Sequence, residues 1–214
     1  MHQTTSFTYD AVGNRTKVTD ALNRATSDGY DAKNRLVTST NALGQVTTNA
    51  YDANNNLTSV TDPNSHATAA TYDALNRRIS ATDALGNTSR YGYDAAGNQT
   101  SVSDALSHAA TSAYDHAGRL VSVTDALGNK TSYGYDGAGN RTSVTDANSH
   151  AQTFTFDAAN RLLTAADALG NTTRYALDPA GNVVQTTLPT GAVNRQVYDA
   201  RNRLTGIDLG NTGK

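Results

Sequence analysis

The dipeptide Tyr-Asp recurs at Tyr9, Tyr30, Tyr51, Tyr72, Tyr93, Tyr114 and Tyr135, always 21 residues after the last. The register continues through Phe156-Asp157, Leu177-Asp178 and Tyr198-Asp199 without an insertion, so ten copies fill about residues 7 to 209 of the 214. A fixed period of this length predicts one small unit stacked on its own copies, because so short a unit cannot bury a face alone. The strings RYGYDAAGNQTSVSDAL (Arg90–Leu106) and SYGYDGAGNRTSVTDAN (Ser132–Asn148) show how closely two copies agree. The expectation is a single array over residues 1–214, cut from a longer chain, since the pattern begins at once and stops within a unit.

Each unit carries two turn signals separated by short extended runs. The first follows the Tyr-Asp pair, as in DAAGN (Asp94–Asn98), and the second reads DALGN, as in Asp125–Asn129. Asp at the first turn position accepts backbone N–H bonds from ahead of it, and Gly or Asn three residues later takes the left-handed conformation that closes a bulged hairpin. The repeat-defining turn residues are therefore Asp94 with Gly97, Asp115 with Gly118, and Asp136 with Gly139. Between turns, KTSYGY (Lys130–Tyr135) places Thr131, Tyr133 and Tyr135 on one face by period two, and RLVSVT (Arg119–Thr124) does the same for Val121 and Val123. Thr142 and Val144, or Thr100 and Val102, fill equivalent slots. Gly, Asn and Thr interrupt every helical window. The prediction is strand–turn–strand–turn throughout.

Composition limits how such strands can hold together. Leu, Ile, Val and Phe total 34 residues, too few for a thick apolar core, whereas Thr supplies 32 and Tyr 11, both strand formers. Low net charge (−2) removes the usual companion of disorder and gives no basic surplus for nucleic acid. There is no cysteine, hence no disulfide, thiolate zinc site or thiol nucleophile, and no apolar run long enough for a membrane-spanning helix. The first ten residues have neither the basic nor the apolar stretch of a signal peptide, so none is expected there.

Tyr-x-Tyr-Asp-x-x-Gly followed by Leu-x-x-Val-Thr-Asp, best seen in YDHAGRLVSVTD (Tyr114–Asp125), resembles the YD repeats of RHS (rearrangement hot spot) proteins, whose relatives include insecticidal Tc toxin BC components and teneurins. The resemblance implies an all-β fold in which tandem 21-residue hairpins form a curled or spiralling antiparallel sheet, here part of a shell. It implies a non-enzymatic role with no cofactor, in a bacterial secreted or cell-surface protein. The implied partners are the remainder of the shell or an enclosed toxin domain. The family's Asp-Pro-x-Gly-Leu cleavage motif is not matched: Asp178-Pro179-Ala180-Gly181 lies in the ordinary turn register and is followed by Asn182. Twenty strands at about 4.8 Å would span roughly 95 Å if flat, and open sheets of more than about ten strands generally curl or split.

Candidate sites are few. His66, His108 and His150 recur at 42 residues, four strands or roughly 19 Å apart, which is too far for one zinc ion. Asp73, Asp94, Asp115 and Asp136 recur every second strand, at a spacing that could suit an inverting glycosidase pair, but a turn role suffices for them. Calcium loops lack the expected spacing. Tyr91, Tyr93, Tyr133, Tyr135 and Tyr175 form the one possible ligand-facing ladder, with glycans as the ligand class and adhesion as the alternative function. Unpaired edge strands would favour self-association.

Overall fold

A computed structural model describes residues 4–210 of the chain, and among them every regular element is a strand, twenty in all, with no helix. Contacts divide the chain into two compact units, residues 1–109 and 110–214. Each unit is an antiparallel meander in which strands pair with their neighbours in chain order. In the first, the strands run from Ser6–Tyr9 to Gln99–Ser103. In the second they run from Ala109–Tyr114 to Leu204–Leu209.

The two hairpins of a repeat differ in register. Across the second hairpin Ser122, Val123 and Thr124 face Ser132, Thr131 and Lys130 in unbroken order. Across the Tyr-Asp hairpin Tyr133 faces Val144 and Gly134 faces Ser143, but Tyr135 faces Arg141, so Thr142 is an extra residue. The same shift recurs at the Tyr-Asp hairpins of both units. A bulge of this kind re-aims a side chain. Simple alternation puts Thr142 beside Val144; instead Thr142 Oγ1 lies 3.4 Å from where a Cβ on Gly134 would sit, on the Gly134/Ser143 side. Thr100 is placed likewise beside Gly92, at 3.5 Å.

Among the described residues no apolar side chain is buried, and the most enclosed side chains are Ser80 and Ser122. Both faces of the sheet meet solvent. Hydroxyls pair across it instead, as in Thr71–Ser80 (2.6 Å), Thr82–Thr88 (2.8 Å) and Thr155–Thr164 (2.7 Å). Stability therefore comes from ladder bonds, modest cross-strand pairs of about 0.2–1 kcal/mol each, and the turns.

Candidate functional site

Seventeen of the nineteen described turns open on aspartate and share one arrangement. In the Asp136 turn the backbone N–H of Asp136 donates to the Asn140 carbonyl at 3.0 Å, and that of Gly139 donates to the Asp136 carbonyl at 3.1 Å. Asp136 Oδ1 accepts the N–H groups of Ala138 (3.0 Å) and Asn140 (2.8 Å), while Oδ2 accepts the Asn140 side chain at 2.9 Å. Asp94 and Asp115 do the same with Asn98 and Arg119. Gly97, Gly118 and Gly139 take φ of 93°, 75° and 92°, the left-handed region where a Cβ is disfavoured. Nineteen described residues have positive φ, one in the fourth place of each turn.

All seventeen turn aspartates are held below the ordinary carboxyl value of 3.8 by hydrogen bonds donated to them, against a contrary pull from desolvation. The largest contribution is the Asn98 side chain at Asp94, the Arg119 N–H at Asp115, and the Asn140 side chain at Asp136. A general acid needs the opposite shift. These carboxylates are built as fixed acceptors.

The fifth turn position carries a signal that the turn pattern alone does not reveal. In every turn that opens on aspartate it presents a side chain to the first: Asn, Arg, or His in the Ser-His-Ala copies, where Nδ1 of His66, His108 and His150 lies 3.0, 2.8 and 3.0 Å from the carboxylates of Asp62, Asp104 and Asp146. The histidines are thus turn locks. No cluster of three or more His, Cys, Asp or Glu side chains occurs among the described residues.

On the Tyr-Asp rim this position also reaches the next repeat, and Asn and Arg alternate. In the first unit Asn14 Nδ2 donates to Asn34 Oδ1 (2.9 Å), Arg35 Nη1 to the Asp52 carbonyl (2.9 Å), Asn56 to Asn76 (2.8 Å) and Arg77 to the Asp94 carbonyl (3.0 Å). In the second, Arg119 reaches the Asp136 carbonyl (3.0 Å), Asn140 reaches Asn160 (2.8 Å), Arg161 the Asp178 carbonyl (2.9 Å) and Asn182 reaches Asn202 (3.1 Å). The opposite rim has no such stitch among the described residues. There Leu22, Leu43, Leu85, Leu106, Leu127 and Leu169 stand exposed at the turn tips.

The tyrosine ladder divides into two kinds. Tyr93 and Tyr135 belong to the stitching: their hydroxyls donate to the carbonyls of Arg78 (3.0 Å) and Leu120 (2.9 Å), and the guanidinium carbons of Arg77 and Arg119 lie 4.7 and 4.8 Å from their ring centroids. Tyr91, Tyr133 and Tyr175 lie mid-strand opposite Val102, Val144 and Thr186. Arg78 covers Tyr91 at 5.0 Å and Arg141 approaches Tyr133 at 5.9 Å. One face of four of these five rings is therefore occupied by a cation. Where Ala70 and Ala81 face each other in the first unit, the two large slots are empty. An open hollow of about 690 Å³ results, bordered by Leu57, Tyr72, Arg78 and Leu106.

Comparison with known proteins bears on the whole array. The RHS Repeat family model matches residues 30–67, 72–109, 114–151 and 154–193, well over half of the chain. No curated protein matches the sequence. Among solved structures, the crystal structure of TcdB2-TccC3-TEV is similar at 19% identity and a TM-score of 0.59, over 96% of this chain and 12% of that one. A Photorhabdus luminescens Tc holotoxin pore is similar at 14% identity and a TM-score of 0.39, over 97% of this chain and 18% of that one. A porin-like protein from Bacteroides uniformis gives 12% and 0.29, over 96% and 95%. The first likeness is one of fold; the other two are too remote to carry an argument. This chain spans about an eighth of the length of the TcdB2-TccC3-TEV chain it matches.

Proposed function

The chain belongs to the RHS repeat family, and from that premise we propose that it is a length of wall: a non-catalytic stretch of a shell that encloses or presents a toxin or other C-terminal effector. The observation that carries this reading is the stitching along the Tyr-Asp rim. Within each unit every repeat is tied to the next by a side chain that also locks its own turn, so the sheet extends without a core and with both faces wet. That arrangement suits a partition between solvent and a guest. The turn carboxylates, all held ionised by donors, favour a structural role over acid–base chemistry. The partners in this reading are the remaining wall and the enclosed domain, and the setting is a secreted or surface-displayed bacterial protein. Glycan binding through the tyrosine ladder has less support, because guanidinium groups already occupy ring faces on which a sugar would stack.

Limited proteolysis of the complete product of the reading frame that carries this array provides the test. A segment outside the array is expected to resist trypsin while the wall is intact. It is expected to be cut once Asp115→Ala, Asp136→Ala and Asp157→Ala together loosen three successive turns. Equal cleavage rates in the two proteins would contradict the enclosing role.

A further inference from the structure

The face that carries the mid-strand tyrosines has one place in the first unit where a ring is missing. Ala70 faces Ala81 there, whereas the equivalent pairs in the hairpins on either side keep a bulky member, Asn49 with Val60 and Tyr91 with Val102. Four repeats further on, Phe154 stands in the place of Ala70 and also faces an alanine, Ala165. Three repeats on, the place belongs to Tyr133, which faces Val144 and has Arg141 at 5.9 Å from its ring. Arg78 holds the position of Arg141, eight residues after Ala70, and Leu57 holds that of Leu120. The repeat thus supplies the surroundings of an aromatic side chain at Ala70 and omits the ring.

Two groups at the resulting hollow of about 690 Å³ suit a ring from elsewhere. The first is Tyr72. Asn56 holds the fifth turn position before it and gives its side chain to Asn76 at 2.8 Å, so among the described residues no cation lies over this ring. Arg35 and Arg77, in the same position, cover Tyr51 and Tyr93, both at 4.7 Å. The second is Arg78, whose guanidinium carbon lies 5.0 Å from the Tyr91 ring centroid and which also borders the hollow. Aromatic rings pair edge-to-face or offset with other rings and stack on guanidinium groups. Beyond the ring-sized slot the hollow runs on to Asn87 and Leu106 at the opposite rim. Asn87 gives its Nδ2 to Asp83 at 2.8 Å, which leaves Oδ1 to accept a peptide N–H.

We propose that this hollow is a socket for the tyrosine or phenylalanine side chain of a polypeptide lying along the face. The ring sits over Ala70 and Ala81 beside Tyr72 and Arg78, and the backbone that carries it runs toward Asn87. A polypeptide is the partner because the hollow is larger than one ring and its far end is polar. The inference goes beyond the enclosing role and holds whichever face of the sheet is the inner one.

Methyl NMR of the full chain, titrated with the capped tripeptide acetyl-Gly-Tyr-Gly-amide, tests it. Saturable shifts are expected at the methyl groups of Ala70, Ala81 and Leu57, and none at Ala50, which alternation places on the other face. The leucine counterpart of the peptide and 4-methylphenol, the ring alone, are each expected to bind at least about fivefold more weakly, and methyl glucoside is expected to leave these methyls unmoved. Ala70→Tyr fills the slot as Tyr133 does, so it keeps the fold and is expected to weaken peptide binding at least about tenfold. Phe154→Ala empties the slot opposite Ala165 and is expected to add a second set of saturable shifts there. A parent chain without saturable shifts, binding undiminished by Ala70→Tyr, or a folded Phe154→Ala chain without the second set would each overturn the proposal. So would equal binding of the leucine peptide or of 4-methylphenol, or a glucoside that moves the same methyls.

Discussion

Lowering the pH below about 4 is expected to collapse the strand signal of the array in one steep step, while stability stays level from there to neutrality. The cause is the number of capped carboxylates. Of nineteen acidic residues, all aspartates, seventeen open a turn and are held below 3.8 by the N–H groups and side chains that bond them. A depressed folded value means that the unfolded chain takes up protons first as the pH falls. Each group therefore contributes stability that is complete above 3.8 and disappears as the pH drops through its folded value. Because the groups share one environment, their losses coincide. The second-hairpin turn at Asn41 supplies the control: Asn41 Oδ1 accepts the N–H groups of Leu43 (2.9 Å) and Gln45 (3.1 Å) with nothing to titrate. Replacing the aspartates of the other second-hairpin turns by asparagine is expected to flatten the acid limb in circular dichroism titrations. A parent chain that keeps its strand signal at pH 2 would contradict the capping role.

Removing one interior stitch is expected to cost far more than removing a neighbouring surface arginine. Arg119 covers the Tyr135 ring at 4.8 Å and donates to the Asp136 carbonyl at 3.0 Å, so Arg119→Ala loses a cation–π contact and a charge-assisted bond between repeats. Together these are worth about 2 kcal/mol at a partly exposed site. Arg141 has only a 5.9 Å approach to Tyr133, and Arg141→Ala is expected to change stability by less than about 0.5 kcal/mol. Tyr135→Phe removes the bond to the Leu120 carbonyl at 2.9 Å and is expected to cost about 1 kcal/mol. Arg119 and Tyr135 touch, so the double variant should cost less than the sum of the two. Urea midpoints by circular dichroism measure all four. In a linear array the loss falls on one junction, so Arg119→Ala is also expected to broaden the transition.

The period, the paired turns and the strand content were legible because each repeat spells them with Tyr-Asp and with Gly or Asn three places later. Where spelling and structure part, the reason is local. Ser65, Ser107 and Ser149 take φ of 66°, 68° and 66° although serine rarely adopts that region. In each of these turns the preceding aspartate accepts the following histidine N–H, at 2.8, 2.9 and 2.8 Å, which closes the turn around the serine. Conversely, the turn at Leu188 has no aspartate, yet Leu188 N–H still reaches the Ala192 carbonyl at 2.8 Å and Gly191 takes φ of 87°. Pairing with its neighbours fixes that turn, and the carboxylate elsewhere reinforces what register already demands. The Asn/Arg alternation was visible as letters, but its meaning depends on which carbonyl lies across the next hairpin, a relation of three dimensions. The bulge at Thr142 was hidden for the same reason: alternation along one strand says nothing of how its partner counts.

Residue-by-residue amide exchange tests most directly whether every copy folds back twice through a capped turn. Within the Asp136 turn the N–H groups of Asp136, Ala138, Gly139 and Asn140 all have acceptors, which leaves that of Gly137 alone. One fast amide is expected at the second position of each turn that has no proline there, such as Ala11, Ala32, Gly137 and Ala158, between slow ones and in step with the 21-residue repeat, while Pro63, Pro179 and Pro189 have no N–H to exchange. Uniformly fast exchange, or protection without that period, would contradict it.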